Sequence, residues 1–189
     1  MKKHPPRDAA ATRAAILASA RRAFAAKGYD GAGVREIAAG AGVTAMLVNR
    51  YFGSKEKLFA EVCAATMDAP VILADANLSS AARARDMARA LVGLTGPGAA
   101  PLDGFRIMLN SAGSKAAAGI GRRAIEKRYQ PLLAGALGGV HAGERAALVF
   151  ALVAGVQAMR QTMGLKALAD ADPQVLETLL TPLFEKLLG

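Results

Sequence analysis

The sequence predicts an all-α fold, on three observations. Apolar residues fill 53% of the 189 positions, much of that as Ala, with few Ile, Thr or Tyr, a balance that favours helices over sheets. Apolar side chains recur at three- and four-residue spacing in segment after segment. No stretch shows the strict alternation of a half-buried strand.

The elements follow in chain order. Residues 1–9 form a flexible basic tail, where Pro5-Pro6 stops any helix. Asp8 or Thr12 can cap a first helix to about Lys27, with Ile16, Leu17, Ala20 and Phe24 on its core face. Gly28 ends it as a left-handed cap. Two short helices are predicted at 34–40 and 44–51, and Ser54 caps a fourth whose Leu58, Phe59 and Val62 face inward, running past Cys63 toward Met67. Beyond Pro70 the periodicity predicts helices around 80–93, 103–112, 115–137, 143–165 and 173–188. Gly96-Pro97-Gly98, Gly138-Gly139 and Ala171-Asp172-Pro173 mark loops. Asp172 can cap the last helix, and Pro182 should kink it or end a segment.

Residues 34–53 are the most informative stretch. Ala38 is small, so a second helix can cross closely. Gly42 follows four residues later, where a tight helix-to-helix turn needs a positive φ. Val43 and Val48 follow at core spacing. This pattern is a helix-turn-helix, whose second helix lies in the DNA major groove. Charge agrees. The net charge is +9, and residues 1–65 carry 11 Lys+Arg against 5 Asp+Glu. The basic excess therefore sits on the segment with the motif, as an anionic partner requires.

Other chemistry finds little footing. His4 and His141 are the only histidines, and no metal-ligand spacing, phosphate-cradling Gly loop or nucleophile elbow is present. The reading is therefore not an enzyme, with no catalytic residues, no metal and no cofactor. The single Cys63 excludes an internal disulfide and reads as a buried, inert thiol. The start of the chain lacks the apolar core of a signal peptide. The uncharged run 146–159 is short for a bilayer, which needs about 20 residues, and reads as a helix buried in protein.

Residues 10–62 resemble the DNA-binding domain of the TetR family of bacterial transcriptional repressors. The matching pieces are Phe24 with Gly28-Tyr29, then Val34-Arg35-Glu36-Ile37-Ala38 and Ala41-Gly42-Val43-Thr44. Tyr51-Phe52, Ser54-Lys55-Glu56 and Leu58-Phe59 complete them. Three positions depart from the family pattern. Gly33 stands where Ser or Thr usually caps the second helix; Asn49 stands where a phosphate-gripping Tyr is usual; and Leu47 replaces a hydroxyl, implying an apolar contact such as a thymine methyl.

The resemblance implies a helix-turn-helix DNA-binding domain at 10–55 and a helical effector-binding and dimerisation domain at 56–189. Arg35 reads as a guanine contact and Lys55, with the fourth helix's first N–H groups, as a phosphate contact. Thr44, Ala45, Met46, Leu47, Asn49, Arg50 and Tyr51 complete the DNA-binding set. Met87, Phe105, Met108, Leu109, Tyr129, Met159 and Met163 are candidates for an effector pocket, against a reading as ordinary core; Gln157 and Arg160 could orient a polar ligand group or sit at an interface. Leu152, Gly155, Val156, Leu176, Leu180 and Leu183 are candidates for the dimer interface.

The function expected is a homodimeric, cytoplasmic transcriptional regulator, nucleoid-associated when on DNA. It would act as a repressor released from a palindromic double-stranded operator by a small, largely apolar effector, with no membrane partner. A ligand-independent DNA-binding dimer is one alternative, and a helical carrier of apolar small molecules is another.

Overall fold

The computed structural model describes residues 9–66, 72–99 and 102–189, and every regular element among them is helical. The chain divides into two compact units. The first holds α1 (Ala9–Gly31), α2 (Val34–Ala41), α3 (Ala45–Phe52), α4 (Lys55–Thr66), α7 (Asp103–Ser111) and α8 (Lys115–Ala124). The second holds α5 (Asp75–Leu78) and α6 (Arg83–Thr95), then a π-helical turn at Ile125–Tyr129 and α9 (Gln130–Leu137). It continues through α10 (Ala142–Gln157), a second π turn at Ala158–Thr162, α11 (Lys166–Ala169) and α12 (Pro173–Leu188).

Three aromatic rings centre the first core. Phe59 meets Phe24 and Tyr29 edge-on, with centroids 5.0 and 5.1 Å apart. Around them lie Ile16, Ile37, Val48 and Phe52, and also Ile107 of α7 and Ala117 of α8. Packing thus extends the head beyond Lys55 to α4, α7 and α8. Cys63 is buried in this core, and desolvation pushes its thiol up to about 11, as an inert thiol requires.

Thr12, expected as a cap, lies inside α1 and is buried; the alternative, Asp8, and the tail fall outside the described residues. Regular helix stops at Lys27, because Gly28 takes φ 67°, ψ −178° and breaks the ladder. The second core is built by α6 and α12 around Met87, Leu91 and Phe184, with Leu133, Ala146 and Val149 closing it. Asp172 caps α12, its carboxylate accepting from the Gln174 N–H at 2.7 Å.

Pro182 neither ends α12 nor interrupts its buried face, which runs Leu176, Leu180, Phe184, Leu188. Its ring is exposed, and Thr178 and Thr181 turn their hydroxyls back onto the Gln174 and Glu177 carbonyls around it. The segment 146–159 also differs from expectation. It lies in a 21-residue helical stretch, Ala142–Thr162, apolar enough to cross a membrane by length and composition, yet only 17% of its apolar window is buried within this chain. Its uncovered side faces away from the unit's own core.

Candidate nucleic-acid interface

The head is assembled from local signals. At the end of α2, Gly42 adopts φ 66°, ψ 37°, which lets its own N–H reach the Ala39 carbonyl and the Val43 N–H reach the Ala38 carbonyl, each at 3.0 Å. That pair of bonds needs a left-handed residue, and Gly adopts it without strain. Thr44 then starts α3, its hydroxyl accepting from the Leu47 N–H at 3.4 Å. Gly33 precedes α2 in an extended conformation with no side-chain cap. Val48 and Phe52 pin α3 to the core, and Arg13 lies 4.9 Å over the Phe52 ring while pairing with Glu61 of α4.

This packing decides which DNA-binding candidates face outward. Met46 is 78% exposed, and Thr44, Asn49 and Arg50 are exposed with it. Arg35, on α2, is exposed and forms no ion pair with a described residue. Leu47 is half-buried. Ala45 and Tyr51 are half-buried against the core, so they support α3 more than they present to a groove.

Lys55 is held in a way that sequence reasoning did not anticipate. Its ammonium lies 4.4 Å from the centroid of the buried Tyr29 ring. The Tyr29 phenol is bonded to Glu56; burial and that carboxylate push it up to about 12. Glu56 is in turn held below the usual carboxylate range by its own backbone N–H, the Ser54 hydroxyl and Tyr29. Ser54 Oγ accepts the Lys57 N–H at 3.2 Å. Two of the first-turn N–H groups expected to meet a phosphate are therefore already occupied, which leaves the Lys55 ammonium as the donor at this end of α4. The aromatic at position 29, two residues past the end of the regular first helix, was the available signal.

The other candidates divide between the units. Phe105, Met108 and Leu109 belong to the first; Met87, Tyr129, Met159 and Met163 belong to the second. Met87 is fully buried in the core of its unit, Tyr129 packs against Phe150 with tilted rings 6.1 Å apart, and Leu109, Met159 and Met163 are exposed. Arg160 and Gln157 are both buried. The Arg160 guanidinium donates to the Val92 carbonyl and the Thr95 hydroxyl, both at 2.8 Å, and to the Leu168 carbonyl at 3.0 Å. It caps the carbonyl end of α6, where a cation is favoured, although burial lowers its pKa.

Of the dimer candidates, Leu176 and Leu180 are enclosed in the core of their own unit. The open face of α12 is Val175, Leu179 and Leu183, which are 53%, 62% and 49% exposed. An apolar groove joins Leu183 and Leu187 to Leu148, Ala151 and Leu152 of α10. Gly155 is exposed and Val156 half-buried on the same helix.

Comparison with known proteins agrees with this architecture. Residues 16–62 match the family model for bacterial regulatory proteins of the tetR family, and residues 82–188 match the tetracyclin repressor-like C-terminal domain. A TetR-family regulator from Streptomyces coelicolor is similar over 98% of this chain and 99% of its own, with 25% identity and a TM-score of 0.60. Two further structures share the fold at 20% identity. The fatty acid degradation regulator FadR of Bacillus halodurans has a TM-score of 0.64, with 100% of this chain and 97% of its own covered. NalD, the secondary repressor of the MexAB-OprM multidrug efflux pump in Pseudomonas aeruginosa, has a TM-score of 0.68, with 95% and 96% covered. No curated protein matches the sequence.

Proposed function

The chain belongs to the TetR family of bacterial regulatory proteins, and from that premise we propose that it is a homodimeric repressor released from a palindromic operator by a small, largely apolar effector. Members of the family are DNA-binding transcriptional regulators, not enzymes. The carrying observation is the outward set of Arg35, Met46, Asn49 and Arg50, projecting from two helices locked by the Gly42 turn and the Thr44 cap. Asn49 can donate to phosphate or read an adenine edge, and Met46 and Leu47 can meet a thymine methyl. Lys55 on its Tyr29 seat supplies the phosphate contact that sets register. Such a regulator works in the cytoplasm, on the nucleoid when DNA-bound.

A fragment selected by the protein from its own genomic DNA provides the test. Affinity should fall steeply with salt, with a log–log slope of about 0.9 per phosphate neutralised. Lys55→Ala should weaken binding to all sequences and lower that slope. Arg35→Ala should relax discrimination at one base pair per half-site by about 1–3 kcal/mol. Unchanged binding in both variants would remove α2 and α3 as the reading head, and leave the carrier reading in its place.

The dimer surface is the uncovered face of α10 and α12, which explains a helix as apolar as Ala142–Thr162 that is covered so little by its own chain. In each subunit α4 joins the helix-turn-helix to the rest of the chain and acts as the lever between them. Recognition helices must sit about 34–36 Å apart or at a larger spacing set by the operator, so a tilt of α4 changes affinity. If an effector prefers the released state 100-fold, operator DNA must weaken effector binding 100-fold, about 2.7 kcal/mol of coupling. Apolar and aromatic metabolites that raise the melting temperature are titrated with and without the selected fragment. Equal affinity in both conditions would leave a ligand-independent dimer.

A further inference from the structure

A second cluster of cations lies on the first unit, outside α2 and α3. Lys57 of α4 and Lys115 and Arg123 of α8 line one groove, floored by Ala60 and Ile120. All three are exposed, and none forms an ion pair with a described residue. The groove holds one acid, Glu56, which is bonded to Tyr29, Ser54 and its own N–H and stays ionised, so three cations against one carboxylate leave a surplus of positive charge.

The groove is continuous with the phosphate-contacting end of the head. The turn between α7 and α8 docks on the end of α1: the Tyr29 N–H donates to Ser111 Oγ at 2.9 Å, and Ser114 Oγ donates to Asp30 Oδ1 at 3.2 Å. Tyr29 is also the ring on which the Lys55 ammonium lies. Lys115 follows Ser114 directly, and Lys57 stands two residues beyond Lys55 in the first turn of α4. A shallow groove with a surplus of positive charge, joined to a phosphate contact, suits a polyanion's backbone better than a compact ligand.

We propose that the α4–α8 groove is a second DNA-backbone contact, made by Lys115 and Arg123 to a phosphate flanking the half-site read by α3. The inference rests on the DNA-binding reading above. It makes α8 part of the DNA-binding surface although it follows the helix-turn-helix by more than 60 residues.

The test needs no operator, because backbone contacts act on any sequence. The full chain and a Lys115→Gln/Arg123→Gln variant are titrated against a labelled 40-base-pair duplex of random sequence across a salt series. Arg85→Gln, which removes one exposed cation on α6 of the other unit, controls for the loss of a surface charge away from the groove. The double variant should lose about 0.9 of log–log slope per phosphate contact, about 1.8 for a dimer losing one contact in each subunit. Arg85→Gln should keep the wild-type slope, and melting curves of all three proteins should coincide. A double variant whose slope equals that of the Arg85→Gln control overturns the groove contact and leaves the helix-turn-helix reading intact. A wild-type chain with no salt-dependent affinity for the duplex overturns the reading beneath it as well.

Discussion

Leu183→Asp should leave the protein folded but monomeric, whereas Leu180→Asp, three residues earlier, should unfold the second unit. Leu180 is buried among the residues that join α12 to α6. A carboxylate placed there loses its hydration and meets no donor, at a cost of several kcal/mol. Leu183 is 49% exposed, so an Asp there is fully solvated in the single chain and becomes costly only when a second copy covers it. Leu179→Asp, at 62% exposure on the same face, should behave like Leu183→Asp. Sedimentation would show a dimer for wild type at micromolar concentration and a monomer of unchanged helicity for the outward variants. Their affinity for a two-site DNA fragment should drop by about 100-fold or more, since the second head no longer binds as an intramolecular event. A Leu183→Asp protein that remains dimeric would move the interface away from α10 and α12. A Leu180→Asp protein as stable as wild type would contradict the packing of α12 on α6.

That contrast also marks where the sequence stops being legible. Leu176, Leu179, Leu180, Leu183 and Leu187 are equally apolar and occur at helical spacing, so periodicity identifies the helix but not which edge of its wide apolar stripe meets its own chain. Only tertiary packing separates the inward row from the outward one. The same limit applies to the effector candidates. A Met at core spacing reads alike whether it fills a core, as Met87 does, or faces solvent, as Met163 does. The head was legible because its signals are local. Gly42 closes a turn through its own φ, while Thr44 and Ser54 each cap a helix within three residues of themselves. By contrast, α7 bonds to α1 across 82 and 85 residues of chain, and no local signal announces it.

The packing of α7 on α1 makes Gly28 the position where a single methyl group should do the most damage. Gly28 holds φ 67° with ψ −178°, a region that costs other residues about 1–3 kcal/mol. A Cβ at this site would also stand 2.1 Å from the carbonyl oxygen of Asn110 and 2.7 Å from its carbon. Both are backbone atoms, so no rotamer change relieves the overlap; α7 must withdraw or the end of α1 must unwind. Either movement breaks the Asn110 Nδ2 bond to the Ala25 carbonyl at 2.8 Å and the Tyr29 N–H bond to Ser111 at 2.9 Å, each worth about 1 kcal/mol. Strain and lost bonds together reach roughly 4 kcal/mol, which for a chain of this size corresponds to a drop in melting temperature of about 10 °C or more. Because Tyr29 seats Lys55 and packs edge-on in the aromatic core, DNA affinity should fall with stability even at temperatures where the chain remains folded. Gly33→Ser is the matched control. Gly33 has ordinary φ and open space where a Cβ would stand, and Ser would supply the missing cap of α2. It should match or slightly exceed wild type in stability. A Gly28→Ala protein that melts with the Gly33→Ser control would show that α7 can leave α1 without cost, and that the contact does not hold the first unit together.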